Sequence, residues 1–355
     1  MTSKERIGIV LEGGIPDRVP MHDGYWDETL SRWVDEGLPK EIADDREAIW
    51  DFFAMEIRMI SVDCSYLFEE KIVDEDERYL IKATKNGTVL KYIKNKTSTP
   101  GLVSFPVSSR DDWERLKPRL RETRGRLPAN LKDLYQHYVD DGRFIVVCVH
   151  DPYEASWSKL GPTRLLEIMK TDPDFVRDIF STIIDLNISV CEELLNQGYQ
   201  VDGAWIWGDI AYSKSTFFSP HMYKQTLYPF HRQLIGFFSE CGLPVVYHSD
   251  GNLNQVIELL IEAGVRCLQP LEAKAGMDLL ALKQQYGGKL VFMGNVDFEK
   301  IEHGMRAMEE EIKLKVGLGK QGGGYIYHSD HSVPPKVSLE AYKSILDMVK
   351  RHGCY

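Results

Sequence analysis

From residue 143 onward the chain repeats one pattern: a short run apolar at consecutive positions, then a longer stretch whose apolar residues recur every three or four positions. Runs of the first kind are strands covered on both faces of a sheet, and the stretches between them are amphipathic helices. Strands are expected at 144–149, 203–207, 244–247, 266–271, 289–293 and 324–327, with an earlier one at 18–21. Helices are expected over 44–55, 163–170, 174–196, 220–240, 253–263, 278–286 and 299–316. Alternation of this kind gives an α/β fold with a parallel sheet, either closed as a barrel or open as a doubly wound layer. Spacing alone leaves both open.

The segment 66–94 departs from the pattern. Charged residues alternate with β-formers in Lys71-Ile72-Val73-Asp74 and in the run from Tyr79 to Thr84; Asn86-Gly87 follows, then Thr88 to Ile93. Two such runs around Asn-Gly predict a β-hairpin, placed as an insertion over one end of the main fold. Between 94 and 126 the composition loosens: Thr97-Ser98-Thr99-Pro100-Gly101 and Ser108-Ser109-Arg110-Asp111-Asp112 have loop and helix-start chemistry. No repeat or Ser/Gly/Pro linker divides the chain, so residues 1–355 are expected to form a single domain.

Composition narrows the function. With 43% hydrophobic and 27% charged residues the chain is globular, and its net charge of −11 disfavours nucleic acid, whose phosphates require cationic patches. No apolar run approaches the ~20 residues a bilayer needs, and Lys4, Glu5 and Arg6 interrupt any leader-like start. A soluble, cytoplasmic protein is expected, acting on a small molecule, with a homo-oligomer compatible with this reading. The six cysteines include no C-x-x-C pair, which argues against a disulfide framework or a zinc knuckle.

The chemistry sits where the apolar runs end. His22 and Asp23 follow the first; His150 and Asp151, Gly208 and Asp209, His248-Ser249-Asp250, Glu272, Gly294-Asn295 with Asp297, and His328-Ser329-Asp330-His331 follow the others. In a (β/α) barrel these ends converge on one face and line one pocket. An Asp after a strand also serves as a helix cap, which for Asp297 and Asp209 explains the residue equally well. His248-x-Asp250 and the His328 to His331 cluster supply nitrogen and oxygen donors of the kind that hold Zn²⁺ with one position open. The same histidines could instead bind carboxylates or act as acid and base without metal; the pattern leaves both readings open. Tyr25, Trp26, Trp157, Trp205, Trp207, Tyr212, Phe217 and Phe218 cluster at the same ends. Those facing the mouth would suit a flat, apolar substrate. No dinucleotide fingerprint, P-loop or nucleophile elbow is present.

Several segments resemble the uroporphyrinogen decarboxylase superfamily: Arg6 with Gly13-Gly14-Ile15-Pro16-Asp17-Arg18-Val19-Pro20, His248-Ser249-Asp250-Gly251-Asn252, Gly264-Val265 through Pro270-Leu271-Glu272, Gly276-Met277-Asp278, Gly294-Asn295-Val296-Asp297, and the closing stretch from Gly322 to Pro335 with Gly353-Cys354-Tyr355. The resemblance implies a (β/α)₈ TIM barrel with its pocket at the carboxyl face, and one of two chemistries: metal-free decarboxylation of a tetrapyrrole, or zinc-dependent methyl transfer to or from a corrinoid on a separate protein. The decarboxylases carry an arginine-rich M-R-Q-A-G-R motif. Here the comparable stretch, Met21 to Glu28, has no arginine and three acids, although Asp63 falls near the decarboxylase aspartate.

The corrinoid methyltransferases hold zinc with an H-x-C pair and a distant cysteine. By resemblance the ligands here are His248, Asp250 and His331, with Glu272, His328 or Asp330 as substitutes. Such a nitrogen and oxygen site suits polarising an oxygen better than activating a thiol. The expected activity is methyl transfer from a small donor, a methoxylated aromatic first, to the corrinoid of a partner protein. Asp209, Tyr212 and His150 would orient or donate protons, and Tyr25, Trp26, Trp157, Trp207 and Asn295 would contact substrate. The rival expectations are a metal-free decarboxylase and a non-catalytic corrinoid or small-molecule binding barrel.

Overall fold

The computed structural model describes residues 1–94 and 100–355. Seven parallel strands form its central sheet in chain order: Ile57–Ser61, Phe144–His150, Gly203–Trp207, Val245–His248, Cys267–Gln269, Val291–Met293 and Tyr325–Ile326. The extended segment at Met21 joins the two edges. Tyr327 N–H donates to the Pro20 carbonyl, His22 N–H to the Tyr327 carbonyl and Glu56 N–H to the Met21 carbonyl. The sheet is thereby curled into a TIM-barrel-like ring, which settles the choice that strand spacing left open.

Alternation along each strand explains why the runs are apolar throughout. Val146 and Cys148 point into the barrel beside Trp205, Val246 and Met293, whereas Ile145, Val147 and Val149 pack outward against the helices. The helix Ser3–Glu12, started by a capping box between Thr2 and Glu5, presses Ile7, Val10 and Leu11 into the amino-terminal end of the barrel. Below it Glu56, almost fully buried, accepts from Arg6 at 2.5 Å, from Arg18 at 2.8 Å and from Met21 N–H at 3.0 Å. One end of the barrel is therefore plugged, and access is left at the other.

Five sequence expectations are corrected. The strand Ile57–Ser61 is absent from the expected set because Arg58 interrupts its apolar run; that guanidinium is buried and pairs with Asp51 and Glu47. The helix expected over 220–240 is two, Pro220–Thr226 and Tyr228–Glu240, because Pro229 lacks the N–H a continuous helix would use. The one expected over 299–316 is divided at Gly304, whose φ of +87° lies outside the helical range. The hairpin is a four-stranded antiparallel sheet, in which Tyr79–Ala83 and Val89–Ile93 pair around Asn86-Gly87 and are flanked by Lys71–Glu75 and Gly101–Ser104. Gly101, expected in a loop, starts the last strand; Thr97 to Thr99 lie outside the described residues. Among the described residues no helix is long and apolar enough to cross a membrane.

Candidate functional site

A cavity of about 420 Å³ opens at the carboxyl ends of the strands. Its floor includes His22, Trp50 and Trp205, and towards the rim stand Trp207, His248 and Asp250. Three donor atoms, one each from Asp209, His248 and Asp250, lie within 4.8 Å of one another. Parallel pairing produces this convergence: His248 lies opposite Trp207 on one side and Gln269 on the other, so each following loop leaves the sheet at the same level.

The orientation of His248 is fixed from behind. Its Nδ1 donates to Oε1 of Gln269 at 2.6 Å, and the Gln269 amide nitrogen donates to Nε2 of His328 at 3.1 Å. His328 Nδ1 in turn donates to the Ser329 carbonyl at 2.7 Å. This chain of bonds leaves Nε2 of His248 facing Oδ1 of Asp209 at 3.4 Å. Asp209 is held by Asp250 N–H at 2.9 Å, and Asp250 Oδ2 meets Nε2 of His331 at 3.0 Å. Burial would push the His248 ring towards neutrality, but the Asp209 carboxylate and Asp250 outweigh it and raise the ring to about 9. Burial also works against an ionised Asp250, yet its bond to His331 and the charge of His248 hold it below the ordinary carboxylate value. Glu154, which accepts from Asp209 N–H at 3.2 Å, is pushed up to about 8 by burial and by the negative charges of Asp209 and Asp151.

These donors fit a divalent ion. One imidazole nitrogen and two carboxylates suit zinc and leave room in its shell for a ligand, and a glutamine behind the imidazole fixes the tautomer with Nε2 free. His331 stands one step away. Its Nδ1 accepts from Ser332 N–H at 2.7 Å, so the proton sits on Nε2 and is donated to Asp250. In this arrangement His331 orients a carboxylate, and Asp209 occupies the third position of the cluster.

The remaining expected residues divide by location. Trp207 lies 4.5 Å from the His248 ring, Trp26 stacks on His331 at 5.3 Å, and Tyr25 lines the cavity with its hydroxyl 3.2 Å from that of Tyr342. His150 and Trp157 line a separate cavity beneath the four-stranded sheet, together with Asp63. Burial and the nearby Lys159 bring His150 down to about 4, so the ring is neutral at pH 7. Tyr212 is 46% exposed on the two-stranded ribbon Ala211–Tyr212 and Ser215–Thr216. Asn295 is buried, with its amide donating to the Leu271 and Met277 carbonyls and its oxygen accepting from Lys315. Glu272 accepts from Gly251 N–H at 2.7 Å and so holds the loop after Asp250. Asp330 is buried and pushed up to about 6 by desolvation. Gln269 and Glu154 were not among the expected site residues. Gln269 carries a signal, a polar side chain inside an apolar strand run, whereas nothing local marks Glu154.

Fold and site together define a TIM-barrel-like protein with a nitrogen and oxygen donor cluster at the carboxyl end of its strands. The sequence profile of the family described as Uroporphyrinogen decarboxylase (URO-D) matches residues 78–352, and the chain belongs to that family. Among solved structures it is similar to a methyltransferase from Methanosarcina mazei, with 16% identity, a TM-score of 0.66 and 99% of each chain covered. It also matches a GH5-4 broad specificity endoglucanase from an uncultured bacterium at 12% identity, covering 68% of this chain and 76% of that one, with a TM-score of 0.38. No curated protein matches it in sequence.

Proposed function

We propose that the protein is a methyltransferase that moves a methyl group from a small donor, a methoxylated aromatic above others, to the corrinoid of a separate protein. One observation carries this reading: Asp209, His248 and Asp250 converge, and the last two line a cavity walled by indole rings. The name of the Methanosarcina mazei neighbour, which shares the fold along its whole length, points the same way.

Zinc held by His248, Asp209 and Asp250 would act as a Lewis acid towards an ether oxygen, where charge develops as methyl departs. The chain's own residues do the rest. Trp207 and Trp205 offer apolar faces to an aromatic ring, and Gln269 keeps the His248 ring in one orientation. Glu154 accepts from Asp209 N–H at 3.2 Å and so holds Asp209 from the side of the neighbouring cavity, which Glu154 lines with His150 and Trp157. The cavity lining includes four carboxylates, Asp23, Asp27, Asp44 and Asp250, against one guanidinium, Arg46. That balance opposes a polycarboxylate tetrapyrrole, which needs several guanidinium partners.

The test supplies a Co(I) corrinoid protein and a panel of methoxyarenes and follows the corrinoid absorbance. Methylation with at least one donor, abolished in His248→Ala, is the expected result. Release of carbon dioxide from an aromatic or tetrapyrrole acid without corrinoid, or binding of the panel without turnover, would overturn it.

A further inference from the structure

The segment Asp44-Asp45-Arg46-Glu47 holds three acids and one base, yet none of the acids neutralises the base. Asp44 pairs with Lys40 at 2.6 Å. Asp45 caps the helix Arg46–Phe52, accepting from Glu47 N–H at 2.8 Å, and the Glu47 carboxylate meets Arg58 at 3.3 Å. Among the described residues the Arg46 guanidinium has no ion pair and no hydrogen bond; it lies over the indole of Trp50, one helical turn on, 5.7 Å from the ring centroid. A guanidinium stacked on an indole keeps its N–H edges free. A cation in the first turn opposes the helix dipole, so the helix itself does not account for the charge.

The guanidinium faces the open end of the barrel. Arg46 lines the same cavity as His248 and Trp207. Burial lowers the His22 ring, and the charge of Arg46 adds to that effect; burial raises the Cys148 thiol, and Arg46 works against the rise. His22 lines the cavity and Cys148 points into the barrel, so the cation is directed inward. Arg46 is itself exposed, and a ligand in the cavity can reach it.

The carboxylates that share the cavity are already answered. Asp250 has His331 at 3.0 Å, and Asp44 has Lys40. Asp23 is buried, accepts from the hydroxyls of Ser329 at 2.5 Å and Tyr342 at 3.0 Å, and has its carboxyl raised by that burial. Asp27 lies in the first turn of the helix Asp27–Asp35, where an acid favours the dipole. One guanidinium is left over. Its fork of donors matches one carboxylate in bidentate geometry, and the apolar lining from Leu30, Met59 and Trp207 suits an aromatic ring.

We infer that Arg46 binds a carboxylate of the protein's ligand and selects an aromatic ether that carries a single carboxylate on its ring. The carboxylate subsite stands on the unpaired guanidinium; the ether end rests on the methyl-transfer reading. Equilibrium binding separates the two, because it needs no corrinoid and no turnover.

The probes are the three methoxybenzoate isomers, their primary amides and 4-methoxybenzylamine. They are titrated calorimetrically into the intact chain after chelation, so that no metal ion competes for the carboxylate. At least one methoxybenzoate should bind about tenfold or more tighter than its own amide, the effect of charge-assisted hydrogen bonds. That ratio should fall to about twofold or less in Arg46→Gln and stay intermediate in Arg46→Lys, which keeps the charge and loses the fork. Equal binding of every acid and its amide, an undiminished ratio in Arg46→Gln, tightest binding of 4-methoxybenzylamine, or failure of all the probes to bind would overturn the subsite. An Arg46-dependent preference for the acid, without methyl transfer to any corrinoid, would keep the subsite and overturn the functional reading. Methyl transfer from neutral methoxyarenes alone would do the reverse.

Discussion

Gln269 decides what His248 can do, because an imidazole free to rotate would turn its Nε2 edge towards the carboxylates only part of the time. Replacing it with leucine removes the acceptor at 2.6 Å and leaves the ring without its outer anchor. Loss of such a partner weakens metal binding by about 10–100-fold. Gln269→Leu should therefore bind zinc more weakly by that factor in a chelator competition, and unchanged affinity would show that the glutamine has no orienting role. The same ring predicts a pH dependence. His248 keeps a proton up to about 9 in the metal-free protein, and a metal on Nε2 must displace it. Zinc affinity should rise about tenfold per pH unit between 7 and 8 and level off once pH passes the ring's own value; a flat profile over that interval would place the metal elsewhere. His248 and Asp250 were legible in the sequence because a polar pair directly after an apolar run needs an explanation. The orienting glutamine was not, since its relation to His248 comes from parallel register between strands that the sequence places 21 residues apart.

At the scale of elements the site depends on how closely two loops approach. The loop after Val245–His248 crosses the ribbon at Ala211–Tyr212 at Gly251, where φ is +87° and a Cβ would lie 2.6 Å from Tyr212 N and 2.7 Å from the Ala211 carbonyl carbon. Backbone atoms cannot yield as a flexible side chain can. Gly251→Ala should cost about 2–4 kcal/mol in denaturant unfolding, from strain at a left-handed position added to the close contact. It should also weaken zinc binding, because Asp250 precedes the displaced residue. A variant with wild-type stability and affinity would show the loops to be more loosely joined than the structure has them. The strands and most helices were readable, since periodicity distinguishes buried strands from amphipathic helices. What escaped were interruptions set by single residues: Arg58 within a strand, Pro229 and Gly304 within helical stretches.

The whole molecule is a ring with one closed and one open end. Arg6, Arg18 and Glu56 join the first segment to the first long strand at the closed end, and the helix Ser3–Glu12 fills it. At the open end the loops gather residues from positions 22 to 332 around one cavity. Strand alternation announced a parallel α/β sheet, but closure was invisible to it, because the joining segment at Met21 contributes only isolated bridges and hydrogen bonds. Family resemblance supplied the barrel, and the register now shows how it is made. The insertion was visible from its Asn-Gly turn and from the alternation at Lys71 to Asp74, whereas the strand Gly101–Ser104 begins in a stretch with loop chemistry. On the proposed function this ring brings Asp209, His248 and Asp250 together to hold one ion. Native mass spectrometry of the intact chain after equilibration with zinc tests it most directly. One zinc per chain in the wild type, absent from a folded His248→Ala, is the predicted result; a chain that takes up no zinc, or a variant that retains the full complement, would contradict it.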